Sequence, residues 1–104
     1  MADISIVNEW LKKADEDFAF AESSLRGGSE FYAQICFHFQ QAAEKYLKAF
    51  IIFRQLPFNK VHDLVNLLKT CMKDDPTLAG LKENCILLNA AYIEREHYPF
   101  IAHP

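Results

Sequence analysis

The sequence predicts an all-α fold: an antiparallel up-and-down bundle of four helices, with room for a short fifth helix in the tail. Two patterns carry that reading. Apolar residues recur at steps of three and four through four successive stretches, and no window alternates apolar with polar as a half-buried strand does. The breakers Gly27-Gly28, Pro57 and Pro76 fall at the boundaries between those stretches. With 104 residues, 51% of them hydrophobic, the chain has enough apolar surface for one core and no room for a second. Residues 1–104 therefore read as a single domain.

Periodicity places the helices at about 4–26, 30–55, 62–74 and 76–93. In the first, Val7, Leu11, Ala14, Phe18, Ala21 and Leu25 share one face, with Glu9, Lys12, Lys13, Glu16 and Glu22 opposite. Asp3 is its expected N-cap, and Gly27-Gly28 ends it, because glycine enters the left-handed C-terminal conformation without a Cβ clash. Ser29 is positioned to cap the second helix. That helix is apolar at nearly every turn, from Phe31 to Phe53, so it should be central. Its polar residues Gln34, His38, Gln41, Lys45, Lys48 and Gln55 form one narrow stripe, expected to face water or a partner. Leu56-Pro57 breaks the helix, since proline lacks the amide donor. The third helix carries Val61, Leu64, Val65, Leu68, Cys71 and Met72, with Asp63 favouring its N-terminal turn through the helix dipole. Asp75 as N-cap and Pro76 at the first helical position start the fourth, whose stripe is Leu78, Leu81, Cys85, Leu88 and Tyr92.

A net charge of −3 gives no broad attraction for phosphate backbones, so any nucleic-acid contact would be local. Cys36, Cys71 and Cys85 are odd in number and lack metal-ligand spacing, which reads as three reduced core residues and no metal site. Residues 1–20 contain no uninterrupted apolar segment, and the longest apolar run, Ala49 to Phe53, is far too short to span a bilayer. The expected location is cytoplasmic, with no membrane partner. No phosphate loop or familiar hydrolase motif occurs, and nothing implies a cofactor.

The distinctive polar features are the stripe on the second helix, His62-Asp63, and a late cluster of Tyr92, Arg95, His97, Tyr98 and His103. Lys45 and Lys48 read as phosphate grips or, more economically, as a solvated or dimer-facing stripe. His62 reads as a phosphate ligand or as a structural hydrogen-bonding histidine. Arg95 and His97 stand out by location, in a Glu-Arg-Glu-His group at a helix end beside the aromatic Tyr98-Pro99-Phe100.

The run Gln40-Gln41-Ala42-Ala43-Glu44-Lys45-Tyr46-Leu47-Lys48-Ala49, then His62-Asp63-Leu64 with Leu67-Leu68, then a late tyrosine followed by Tyr98-Pro99, resembles the HEPN domains (higher eukaryotes and prokaryotes nucleotide-binding). The resemblance implies a four- or five-helix bundle, commonly a homodimer and often encoded beside a minimal nucleotidyltransferase. Some members are toxin ribonucleases; others are non-catalytic modules that bind nucleotides or partners. Ribonuclease members carry an arginine, four to six intervening residues and a histidine. Here His97 follows Arg95 after one residue and His103 after seven, so neither spacing fits. The reading is therefore a dimeric binding module working with a nucleotidyltransferase, with Gln41, Lys45, Lys48, His62, Asp63, Tyr92 and Tyr98 as nucleotide- or partner-binding residues. The alternative is a toxin-like, metal-independent endoribonuclease in which Arg95 meets His97 or His103 across a dimer interface. In that chemistry histidine would move the 2′-hydroxyl proton while arginine stabilises charge on the phosphate.

Overall fold

A computed structural model describes residues 2–57 and 63–97, with side chains through residue 90. The chain forms α1 (Ile4–Arg26), α2 (Tyr32–Phe53), α3 (Leu64–Asp74), a 3₁₀ segment (Pro76–Leu81) and α4 (Lys82–His97). The fold is an all-α helical bundle, and no strand occurs among the described residues.

Local chemistry sets the ends of these helices. Asp3 caps α1, its carboxylate accepting from the Ser5 amide at 2.9 Å and the Ser5 hydroxyl at 2.7 Å. Gly28 closes α1 with φ +81°, in the left-handed region. The end of α2 makes the same turn without glycine: Gln55 has φ +56°, and the Leu56 amide reaches back to the Ile51 carbonyl at 2.9 Å. Ser29 stops short of capping α2, since its hydroxyl accepts from the Phe31 amide before the helix begins and Phe31 occupies the cap position. Asp63 is a full N-cap of α3, accepting from the amides of Val65 (2.9 Å) and Asn66 (3.3 Å). Asn89 of α4 locks that cap, donating to Asp63 at 3.1 Å while accepting from the Leu64 amide at 3.0 Å. The expected fourth helix at 76–93 instead opens as a 3₁₀ segment. Asp75 caps it by accepting from the Thr77 amide, Pro76 follows, and Gly80 lowers the local preference for an α-helix.

The antiparallel hairpin of α1 and α2 is built on small residues. Val7, Ala14 and Ala21 on α1 and Ile35, Ala42 and Ala49 on α2 are all buried and recur every seven positions. Four alanines in the seam let the two rods approach closely, and the larger neighbours on each helix are displaced to the two edges of the contact. Of the expected α1 stripe, Val7, Ala14 and Ala21 are buried, whereas Leu11, Phe18 and Leu25 are exposed. The cause is that α1 packs chiefly on α2, so a narrow alanine strip is covered and the stripe's flank is not. The second half of α2 carries the main core, where Ile51 packs with Leu64, Leu67, Leu68 and Cys71 of α3 and Cys85 of α4. Cys36 departs from the expected core trio: it is exposed, while Cys71 and Cys85 are buried.

Candidate functional site

Two very different surfaces flank the alanine seam. On one edge, α1 contributes Trp10, Asp17 and Phe20, and α2 contributes His38, Lys45 and Lys48. Asp17 is the hub: one carboxylate oxygen accepts from the Lys45 ammonium, and the other lies 3.2 Å from His38 Nδ1. Phe20 rests against the His38 ring at 4.6 Å between centroids. Behind this edge, a ladder of polar groups climbs α2 at steps of four. Gln40 donates to Glu44 at 3.4 Å, Lys48 donates to Glu44 at 2.9 Å, and Gln41 donates to Gln40 at 2.8 Å. Gln40 is fully buried, Glu44 is 3% exposed and Lys48 6% exposed. The Lys48 ammonium also sits 5.6 Å from the centre of the Trp10 ring, within cation–π range. Of the stripe expected to face water or a partner, Lys48 is buried and Gln41 and Lys45 are half-buried, while Gln40 and Glu44 beside them are buried. Its charges meet α1 or one another.

The other edge is apolar. Phe18 of α1 packs edge-on against Phe39 of α2 at 5.6 Å, and Tyr46 donates a hydrogen bond to Asp15. Two hollows open here and meet at Tyr46. One, of about 510 Å³, lies among Phe18, Phe39, Ala42, Ala43 and the α4 residues Asn84, Leu87 and Leu88. Its neighbour, of about 410 Å³, lies among Ile4, Val7, Asn8, Leu11, Ala49, Phe50 and Phe53. Burial and the bond to the Asp15 carboxylate push the Tyr46 phenol up to about 12, the hydrogen bond being the larger cause.

A third hollow, of about 300 Å³, is more polar: Asn66, Lys69, Thr70 and Lys73 of α3 surround it together with Ile51 and Pro57. The lysines there are exposed side chains on an i, i+4 step. The thiols offer no reactive centre nearby. Burial above all pushes Cys71 up to about 11, and burial also raises Cys85. No group of three or more His, Cys, Asp or Glu side chains able to hold a metal occurs among the described residues.

Of the sequence-nominated residues, the structure brings Gln41, Lys45 and Lys48 to one side of α2. It puts Asp63 at the start of α3, where its carboxylate is engaged by two amides and Asn89. His62, Tyr98 and His103 lie outside the described residues, as do the side chains of Tyr92, Arg95 and His97, whose backbone belongs to α4. The apolar edge gave little sign of itself in the sequence. Phe39 and Phe53 look like ordinary core residues, yet Phe53 is half exposed and Phe39 borders an open hollow. Lys69 and Lys73 look like ordinary solvated positions.

No described helix is long and apolar enough to cross a membrane. Comparison with curated proteins and with solved structures gave no match. A family model for the HEPN domain matches residues 7–102. That match runs from the first turn of α1 into the tail and takes in the buried Gln40–Glu44–Lys48 ladder, the Asp63 cap and the Arg95–His97 end of α4. With nearly the whole chain matched, and matched by a family of nucleotide-binding and ribonuclease-type modules, the protein belongs to the HEPN domain family.

Proposed function

We propose that this HEPN domain is a binding module: it pairs with a second copy of itself, works beside a nucleotidyltransferase, and binds nucleotide or presents a docking surface without catalysing a reaction alone. The observation that carries this reading is the engagement of its α2 cations. Lys45 is held by Asp17, and Lys48 is buried against Glu44. A lysine that grips phosphate in a catalytic cleft must present its ammonium to the ligand, and these two present theirs to the protein's own carboxylates. The Arg95-to-His97 and Arg95-to-His103 spacings, which miss the ribonuclease pattern, support the same reading. Nucleotide phosphate, where bound, would find the exposed Lys69 and Lys73 on α3 more accessible than the α2 lysines.

Calorimetry with nucleoside triphosphates, run together with an RNA-cleavage assay lacking divalent metal, tests this. The expected result is intact RNA, with a nucleotide heat that Lys69→Glu/Lys73→Glu diminishes and Lys45→Ala does not. Metal-independent cleavage lost in Arg95→Ala or His103→Ala would replace the binding module with an endoribonuclease.

A further inference from the structure

We infer that the hollow on the outer face of α3, between Lys69 and Lys73, is a pocket for a small organic phosphomonoester, held as a dianion without a metal ion. The inference rests on the reading of the protein as a nucleotide-binding module and adds the place and the chemical class of the ligand. Asn66, Lys69, Thr70 and Lys73 give the hollow its polar walls, and Ile51 and Leu67, both almost fully buried, reach it from the core side as an apolar floor. Its volume of about 300 Å³ lies at the small end of the range of ligand pockets, roughly 300–1,000 Å³, so it takes a compact molecule.

Lys69 and Lys73 stand one helical turn apart, which puts their Cβ atoms about 5–6 Å from each other. Two ammonium groups so placed can bracket one phosphate group, and their charges answer the roughly −1.5 to −2 that a phosphomonoester carries at pH 7. Neither ammonium is drawn off by a carboxylate among the described residues, in contrast to Lys45 and Lys48. The acid next in sequence, Asp74, is taken up by Arg54 at 3.3 Å. Asn66 adds an amide donor. The Thr70 hydroxyl donates to the Asn66 carbonyl over a long 3.3 Å, a bond it can exchange for a charge-assisted one to a phosphate oxygen. The same features favour this ligand over other anions. A metal-bound triphosphate shares its Mg²⁺ with protein carboxylates, and no carboxylate lines this hollow among the described residues. A nucleic-acid strand is tracked by cations along a groove, and here two cations face one hollow. Inorganic phosphate would leave the floor of Ile51 and Leu67 in water, whereas the body of an organic ester covers it.

Calorimetry with adenosine monophosphate as the probe tests this on the full chain, with circular dichroism confirming that each variant keeps its helix. Adenosine monophosphate should bind in buffer containing a metal chelator, and more tightly than inorganic phosphate or adenosine. Added Mg²⁺ should leave that affinity unchanged and weaken the binding of adenosine triphosphate. Lys69→Gln together with Lys73→Gln removes both charges and should lower the monophosphate affinity at least about tenfold. Lys13→Gln, at an exposed lysine of α1, should leave it unchanged. In a nuclear magnetic resonance titration, the backbone amides that shift should cluster on α3 around Asn66, Lys69, Thr70 and Lys73. Absence of monophosphate binding, binding indifferent to the α3 double variant, or amide shifts centred on another helix would overturn the inference, as would an acidic peptide that outcompetes the monophosphate. The two readings fail separately. If Mg²⁺-bound triphosphate binds more tightly than the monophosphate, the phosphomonoester pocket falls and the nucleotide-binding module stands; metal-independent RNA cleavage removes the non-catalytic module even where the hollow still binds the monophosphate.

Discussion

The two edges of the α1/α2 hairpin share the same alanine seam and differ in almost everything else. On the Trp10–Asp17 side, charged groups are drawn inward and neutralised: Asp17 holds Lys45 and faces His38, and Glu44 and Lys48 are paired while almost fully buried. On the Phe18–Tyr46 side, large apolar groups stand in water above two open hollows. In a finished monomer the reverse distribution would be expected, with charges outward and aromatics inward. The contrast separates two jobs. The polar edge helps to fix how α1 sits on α2, because the part-buried Asp17–Lys45 pair joins the two helices at one register, and the apolar edge stays open over its two hollows.

The largest test of that contrast is at the ladder. Glu44→Ala removes the carboxylate that the buried Lys48 ammonium donates to and should cost about 3–5 kcal/mol in urea unfolding. Replacing the pair together, as Glu44→Leu with Lys48→Met, should be near neutral or stabilising by about 1–4 kcal/mol, since it removes two desolvated charges at once. If the single and double variants lose the same amount, the ladder is not acting as a pair. Next in size is the seam: Ala42→Leu forces added volume between the closely packed rods and should cost about 1–3 kcal/mol. A neutral result would mean that the alanines do not set the approach of the helices.

On the apolar edge the expected monomer effects are small. Leu87→Glu should change the unfolding free energy by within about 0.5 kcal/mol, because the side chain is exposed. A large loss would show that Leu87 belongs to the core. A separate effect, confined to alkaline pH, is the titration of Tyr46. Its folded-state value of about 12 lies above the ordinary 10.0, so the folded state holds that proton more tightly than the unfolded one. The associated stability is fully present below pH 10 and is lost as the pH rises toward 12. Near-ultraviolet absorbance should show one late-ionising tyrosine, absent in Tyr46→Phe and shifted earlier in Asp15→Asn.

How much of this was written in the sequence depends on the level asked about. The helix ends were legible wherever a cap is a local event. Asp3, Asp75 and Gly28 act through atoms two or three residues away, and their residue types announce it. Gln55 was not legible, because its left-handed turn follows from where α2 must stop to pass into the next element and its side chain gives no hint of it. The HEPN resemblance carried by the Gln40–Ala49 run also held, since a short pattern of polar and apolar residues survives translation into a helix face. What could not be read was which way that face points. Of the residues that looked like a solvated stripe, Lys48 is buried, Gln34, His38, Gln41 and Lys45 are half-buried and Gln55 is exposed, while Leu11, Phe18 and Leu25, which looked like core, are bare.

By itself, then, the sequence determined that the chain is helical, roughly where each helix starts and stops, and which family it belongs to, because periodicity and capping act over one or two turns. Only the tertiary structure decided which side of each helix is covered. That choice depends on the small alanines bringing α1 and α2 together along one strip while α3 and α4 gather over the far half of α2. No stretch of a single helix contains that information.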